Sequence, residues 1–178
     1  PNPGDLPFAN ASAAGGLDTP SFSNGAAYGD LDGDGALDLV VNNINEEAFI
    51  YRNNARALGT NRYLQVRLEG EGKNRFAIDA TVTLRSGAQR FFQELEPSRG
   101  FQSSVDYVLT FGLGGADTVD TVTVEWPDGR VSTLTHVAAD QRQTIRQSEA
   151  RATRRPQPER VTPLFTDVTD RVALDFVH

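Results

Sequence analysis

Four carboxylates crowd into nine residues, Asp30-Leu31-Asp32-Gly33-Asp34-Gly35-Ala36-Leu37-Asp38, at positions 1, 3, 5 and 9, with Gly at position 6. Packed that closely, they repel one another unless a cation sits among them. Alternate aspartates around a tight glycine turn bring oxygen ligands to one point. A hard cation that takes roughly six to eight oxygens needs that arrangement, so the ion expected here is calcium. The expected ligands are the side chains of Asp30, Asp32, Asp34 and Asp38 and the backbone carbonyl of Ala36. A solvated acidic turn is the plainer alternative, but turn chemistry needs one or two aspartates and not this alternation. An EF-hand requires a bidentate Glu at position 12, where this chain has Val41, so that reading fails.

Other groups that could do chemistry offer less. Glu94 and Glu96 are two apart in a stretch with strand character, which would put both carboxylates on one face at a spacing suited to a retaining glycosidase. The competing reading is a pair of solvated carboxylates beside Arg90 and Arg99 on an exposed edge, and it is preferred. With no Cys, a thiol nucleophile is impossible, and the two imidazoles are His136 and His178. His136 falls at an expected strand end, where a surface role suits it. Gly112-Leu113-Gly114-Gly115 lacks the Lys-Ser/Thr ending and the helical pattern of a phosphate loop, and reads as a turn. Phe91, Phe92, Phe101, Tyr107 and Trp126 could form a sugar-binding platform, but alternation turns several of them inward, toward a core. No catalytic residue is expected, and the chain reads as a non-enzyme.

The elements that must position the acidic loop are strands. After the loop, Leu37-Asp38-Leu39-Val40-Val41 is short, apolar and β-branched. Asn24-Gly25-Ala26-Ala27-Tyr28-Gly29 leads in, and small residues there allow a close-packed strand beneath the ion. A turn at Asn42-Asn43-Ile44-Asn45 and a third strand over residues 48–54 complete the pattern strand, loop, strand, turn, strand. From residue 61 the chain alternates: strands are expected over 63–68, 80–85, 89–95, 105–111, 119–126, 131–136 and 143–146. Ser86-Gly87 should close one hairpin. Trp126-Pro127-Asp128-Gly129-Arg130, with Pro presetting φ and Gly supplying a positive φ, should close another. About seven short strands separated by turn signals argue for a β-sandwich or barrel.

Composition sets the outer limits. The 178 residues allow one large domain or two small ones, with 24 acidic against 17 basic residues and a formal charge of −7. Such a chain is a poor partner for nucleic acid or anionic membranes, and no apolar stretch has the length of a membrane span. The arginines of Arg151-Ala152-Thr153-Arg154-Arg155-Pro156 lack interleaved aromatics and read as a solvated linker, not a nucleic-acid arm. Without Cys there are no disulfide staples, so packing and metal must hold the fold. Met is absent as well, and the chain is expected to be a piece of a longer or processed protein.

Two resemblances follow from these residues. The stretch 28–54 resembles an FG-GAP or VCBS repeat, the calcium-bearing blade unit of integrin-α-like β-propellers. On that pattern Asp30, Asp32, Asp34 and Asp38 match the side-chain ligands and Ala36 the carbonyl ligand. A single blade cannot bury both its faces, so neighbouring repeats are the partners implied. Four motifs in order, Arg75-Phe76-Ala77-Ile78-Asp79-Ala80, Arg99-Gly100-Phe101-Gln102-Ser103, Phe111-Gly112-Leu113-Gly114 and Val124-Glu125-Trp126-Pro127-Asp128-Gly129, resemble the ASPIC/UnbV domain. That domain is found after VCBS repeats in secreted and surface proteins, and it usually carries Gly where this chain has Asp79. Near the end, Phe165-Thr166-Asp167-Val168-Thr169-Asp170-Arg171-Val172-Ala173-Leu174-Asp175 repeats without gaps the pattern that begins at Phe8, as the lead-in to a further blade set would.

The expected architecture is therefore all-β: a blade-like segment with a calcium loop over 1–60, an antiparallel β-sandwich over 61–148, and a linker with the start of a further repeat over 149–178. The function implied is that of a non-catalytic, extracytoplasmic calcium-binding module of a larger surface or secreted protein. It would serve adhesion or the binding of glycan or protein; a purely architectural spacer is the alternative, and hydrolysis through Glu94 and Glu96 a weaker one.

Overall fold

The computed structural model describes residues 9–151 together with Phe165, Thr166, Val168 and Arg171. Most of the linker and the terminal repeat of the opening pattern lie outside these residues. What is described is nearly all β.

Three strands come first: β1 (Ser23–Gly29), β2 (Asp38–Asn43) and β3 (Phe49–Tyr51), antiparallel in the order β1-β2-β3. The acidic loop joins β1 to β2, as the residue pattern required, and Gly29 faces Asp38 across the ladder. The third strand is shorter than the expected 48–54. The Asn53 side chain accepts the Ala55 N–H, and the backbone N–H groups of Ala57 and Leu58 return to the Asn54 carbonyl, turning the chain into the short helix α1 (Ala55–Leu58).

The remaining chain supplies β4 (Arg62–Glu69), β5 (Thr81–Ser86), β6 (Gln89–Glu94), β7 (Val108–Gly114), β8 (Thr118–Glu125), β9 (Val131–Ala138) and β10 (Gln141–Arg146). They form two sheets, β10-β4-β7 and β6-β5-β8-β9. Both expected hairpins are present, β5 with β6 and β8 with β9. Among the described residues the strand pairs are antiparallel except one: β10 lies parallel to β4, with Gln141 beside Leu64 and Arg146 beside Glu69.

Alternation explains the core. Leu64, Val66 and Leu68 of β4, Leu109, Phe111 and Leu113 of β7, and Ile145 of β10 form one wall. Val82 and Leu84 of β5, Val119, Val122 and Val124 of β8, and Val137 of β9 form the other, and Leu95 and Trp126, just past the ends of β6 and β8, join the same cluster. Each such side chain removed from water contributes about 1.5–3 kcal/mol. The three-residue step from Val119 to Val122 breaks the period of two where the β8–β9 register skips a pair, and His136 there has a φ of +55°. His136 is exposed within β9, whose ladder continues to Ala138 past the expected end.

One turn expectation needs correction. Gly112-Leu113-Gly114 is not a turn; β7 continues through it because Leu113 extends the inward series Leu109, Phe111 and is 2% exposed. The chain turns only at Gly114, whose φ is +58°.

Candidate metal centre

The acidic loop is held from both ends of its own sheet. Asp38, first residue of β2, is 3% exposed; its Oδ1 accepts the Asn53 N–H at 2.8 Å and its Oδ2 the Leu31 N–H at 3.0 Å. Those two N–H groups, Asn53 first, hold the Asp38 carboxyl below the usual carboxylate range against the opposing effect of burial, and Arg52 adds to the lowering. Asp32 Oδ1 accepts the Asp34 N–H at 3.2 Å, and Asp32 Oδ2 pairs with Arg52 Nε at 3.0 Å.

Carboxylate oxygens of Asp30, Asp32 and Asp38 lie within 4.8 Å of one another. Asp34 does not join that group: its Oδ1 accepts the Ala36 N–H at 2.8 Å and stiffens the loop from within. Ala36 itself is 9% exposed, folded against the body of the protein. Three of the four expected aspartates are thus gathered to one point, and the fourth is bonded inside the turn.

Asp30 bears most directly on whether a cation fits. Its Oδ2 accepts the Gly35 N–H at 3.1 Å and the Gln65 Nε2 at 2.8 Å, while its Oδ1 is buried with no hydrogen-bond partner. A buried carboxylate oxygen left unpaired carries a desolvation cost of several kcal/mol. Beside two other carboxylates, it is a donor set made of hard oxygen atoms, and such a set suits calcium in kind.

The loop rests on the sandwich. A Cβ on Gly35 would overlap the Tyr63 ring of β4, so the backbone there lies directly against that ring. Arg56 of α1 lies over the same ring, its guanidinium carbon 5.1 Å from the Tyr63 centroid. Arg56 also reaches Asp140 at 2.7 Å and Arg62 reaches it at 2.6 Å, joining α1, β4 and the β9–β10 turn. Sequence reasoning did not single out Gln65, Tyr63 or Asp140; each acts across tens of residues and none belongs to a local pattern.

The other candidates are placed as follows. β6 ends at Glu94, and the Glu96 N–H returns to the Glu94 carbonyl at 3.0 Å, so the two glutamates do not share a strand face. Both are exposed on the rim of a cleft of about 470 Å3 that also touches Asp30, Gln65, Arg99 and Arg142. The Ser98 backbone N–H, with its hydroxyl and Arg99 assisting, holds the Glu96 carboxyl below its ordinary range. A glycosidase acid needs the opposite shift. The five aromatics divide: Trp126 is buried with Nε1 donating to Ser132 Oγ at 2.9 Å, Phe91 and Tyr107 pack partly against the core, and Phe92 and Phe101 are 57% and 90% exposed. Among the described residues no helix is long and apolar enough to cross a membrane.

Comparison with curated proteins returns no match. Comparison with family models returns one for the greater part of the sandwich, from the end of β4 through β10 and including all four of the motifs quoted above. Residues 70–152 of this chain match the family described as ASPIC and UnbV.

Proposed function

We propose that this chain is a non-catalytic, extracytoplasmic calcium-binding module, in which a calcium ion fastens an FG-GAP/VCBS-like segment against an ASPIC/UnbV sandwich. The buried, partnerless Oδ1 of Asp30, beside Asp32 and Asp38, is the observation that carries the reading. Extracellular calcium modules bind at about 0.1–1 mM, so such a loop fills only where calcium is abundant, outside the cytoplasm. At a few millimolar calcium the ion would add about 1–2 kcal/mol of stability.

The partners in this reading are neighbouring repeats of the same parent protein and an external glycan or protein. The three-stranded sheet supports the first: Tyr28 and Ile50 of its strands are 52% and 70% exposed, and Phe22 and Ile44 at its end are 74% and 50% exposed. Phe92 and Phe101 support the second. A purely architectural role draws on a different observation, the ionic and aromatic joint that ties α1 and the loop to β4.

Thermal melts of the whole chain with 5 mM calcium and with chelator test the ion. The wild type should melt several degrees higher with calcium, and Asp30→Asn, with Asp32 and Asp38 still in place, should lose most but not all of that response. A melting point indifferent to calcium and chelator alike would sink the reading. Loss of binding on a glycan array by Phe101→Ala would favour the ligand-binding role, and absence of any ligand would favour the spacer.

A further inference from the structure

The two oxygens of Asp30 are treated differently, and a residue of the sandwich makes the difference. Gln65 of β4 is 5% exposed and donates from Nε2 to Asp30 Oδ2 at 2.8 Å. Its own Oε1 accepts from Arg142 Nε at 2.9 Å, and Arg142 stands opposite Gln65 in the parallel β4–β10 register. This amide cannot turn over. A guanidinium only donates and an ionised carboxylate only accepts, so the oxygen must face Arg142 and the nitrogen must face Asp30. With Oδ2 taken by Gln65 and by the Gly35 N–H, Oδ1 is the oxygen left for an ion.

We infer that Gln65 is a positioning residue for the cation site, pinned by Arg142 of β10 and fixing which Asp30 oxygen is offered. Gln65 is not itself a ligand. The metal centre then extends beyond the acidic loop, through one hydrogen-bonded chain from β10 through β4 into the loop. Outer partners of this kind set ligand orientation, and losing one weakens metal binding by about 10- to 100-fold. The inference rests on the calcium reading above, and its test separates the two.

Calcium is titrated into the whole chain by isothermal calorimetry for the wild type, Gln65→Leu, Arg142→Leu, Asp30→Asn and the double variant Asp30→Asn/Gln65→Leu. Gln65→Leu should weaken calcium about 10-fold and Arg142→Leu a few-fold. In the Asp30→Asn background, Gln65→Leu should cost nothing further, because it acts through Asp30; a residue that merely supports the fold would weaken both backgrounds alike. If the wild type binds no calcium, the calcium reading falls and this inference with it. If the wild type binds and Gln65→Leu binds within two-fold of it, only the positioning role falls; equal losses in the two backgrounds overturn it as well. Should Gln65→Leu fail to fold, the exposed Arg142 carries the test, and unchanged calcium affinity in Arg142→Leu refutes the inference.

Discussion

Gly35 offers a direct measure of how tightly the acidic loop is seated on the sandwich. Its φ is +89°, and a Cβ there would come 2.1 Å from Cε1 and 2.3 Å from Cδ1 and Cζ of Tyr63. Comfortable carbon–carbon contact needs about 3.5–4.0 Å, so the ring must move or the loop must lift. Gly33 is the internal control, since its φ is +76° but nothing lies within 4 Å of a Cβ placed on it. Gly33→Ala therefore carries only the left-handed backbone term of about 1–2 kcal/mol. Restriction of the unfolded chain offsets about 0.4–1 kcal/mol of that, leaving about 1 kcal/mol. Gly35→Ala adds an overpacking cost of about 1–3 kcal/mol, for a total near 3 kcal/mol. In a chain of this size 1 kcal/mol moves the melting temperature by about 2–4 °C. Melts in chelator, which remove calcium from the comparison, should then show losses of about 3 °C for Gly33→Ala and about 9 °C for Gly35→Ala. In a Tyr63→Leu background the excess at position 35 should largely vanish. Equal losses at the two glycines, or an excess that survives Tyr63→Leu, would show that the loop does not rest on that ring.

Two further outcomes follow from the sandwich. Burial pushes the Asp140 carboxyl up, but the Arg62 hydrogen bond, the Tyr63 N–H and Arg56 outweigh it and hold the group below the ordinary 3.8. A carboxyl depressed on folding stabilises fully above its unfolded value, and that stability is lost as pH falls through the folded one. Asp140→Asn, which keeps a residue tolerant of the observed φ of +59°, should cost about 1–2 kcal/mol at pH 7 for two half-exposed ion pairs. The gap between the wild-type and Asp140→Asn melting points should narrow as pH drops from 5 to below 3; a constant gap counts against the assignment. Separately, Ser132→Ala leaves the buried Trp126 N–H unpaired and should cost about 1–3 kcal/mol, seen as a lower urea midpoint at unchanged slope in the fluorescence of the chain's single tryptophan.

What could be read from the sequence was whatever depends on near neighbours. Alternate aspartates crowd one another whatever surrounds them, so the loop and the strands at its ends were legible, as were the hairpins at Ser86-Gly87 and Pro127-Asp128-Gly129. Glu94 and Glu96 fit a strand pattern up to the point where the chain bends, and nothing in their own types announces that bend. Leu113 reads as a turn residue because its glycine neighbours are turn formers, whereas burial of the β7 face makes it a strand residue. Asp79 shows the reverse case. It stands where the ASPIC/UnbV resemblance leads one to expect Gly, and its φ is +69°, a conformation that Asp tolerates better than most side chains. Gln65, Tyr63 and Asp140 were invisible because their chemistry depends on partners brought in by the fold, with 35 residues separating Gln65 from Asp30 and 77 separating Tyr63 from Asp140.

The parallel pairing of β10 with β4 also has a consequence in time. A chain made from its N-terminus exposes the acidic loop and β4 long before Gln141–Arg146 exist, and until then one edge of β4 has no strand beside it. Late, long-range pairing of this kind is slow to form. Arg142, which pins Gln65, arrives with β10. The acidic loop, made well before β10, therefore reaches its final shape only when β10 has joined β4, and any product cut short before Gln141 would keep all four aspartates while losing the clasp that aims Asp30.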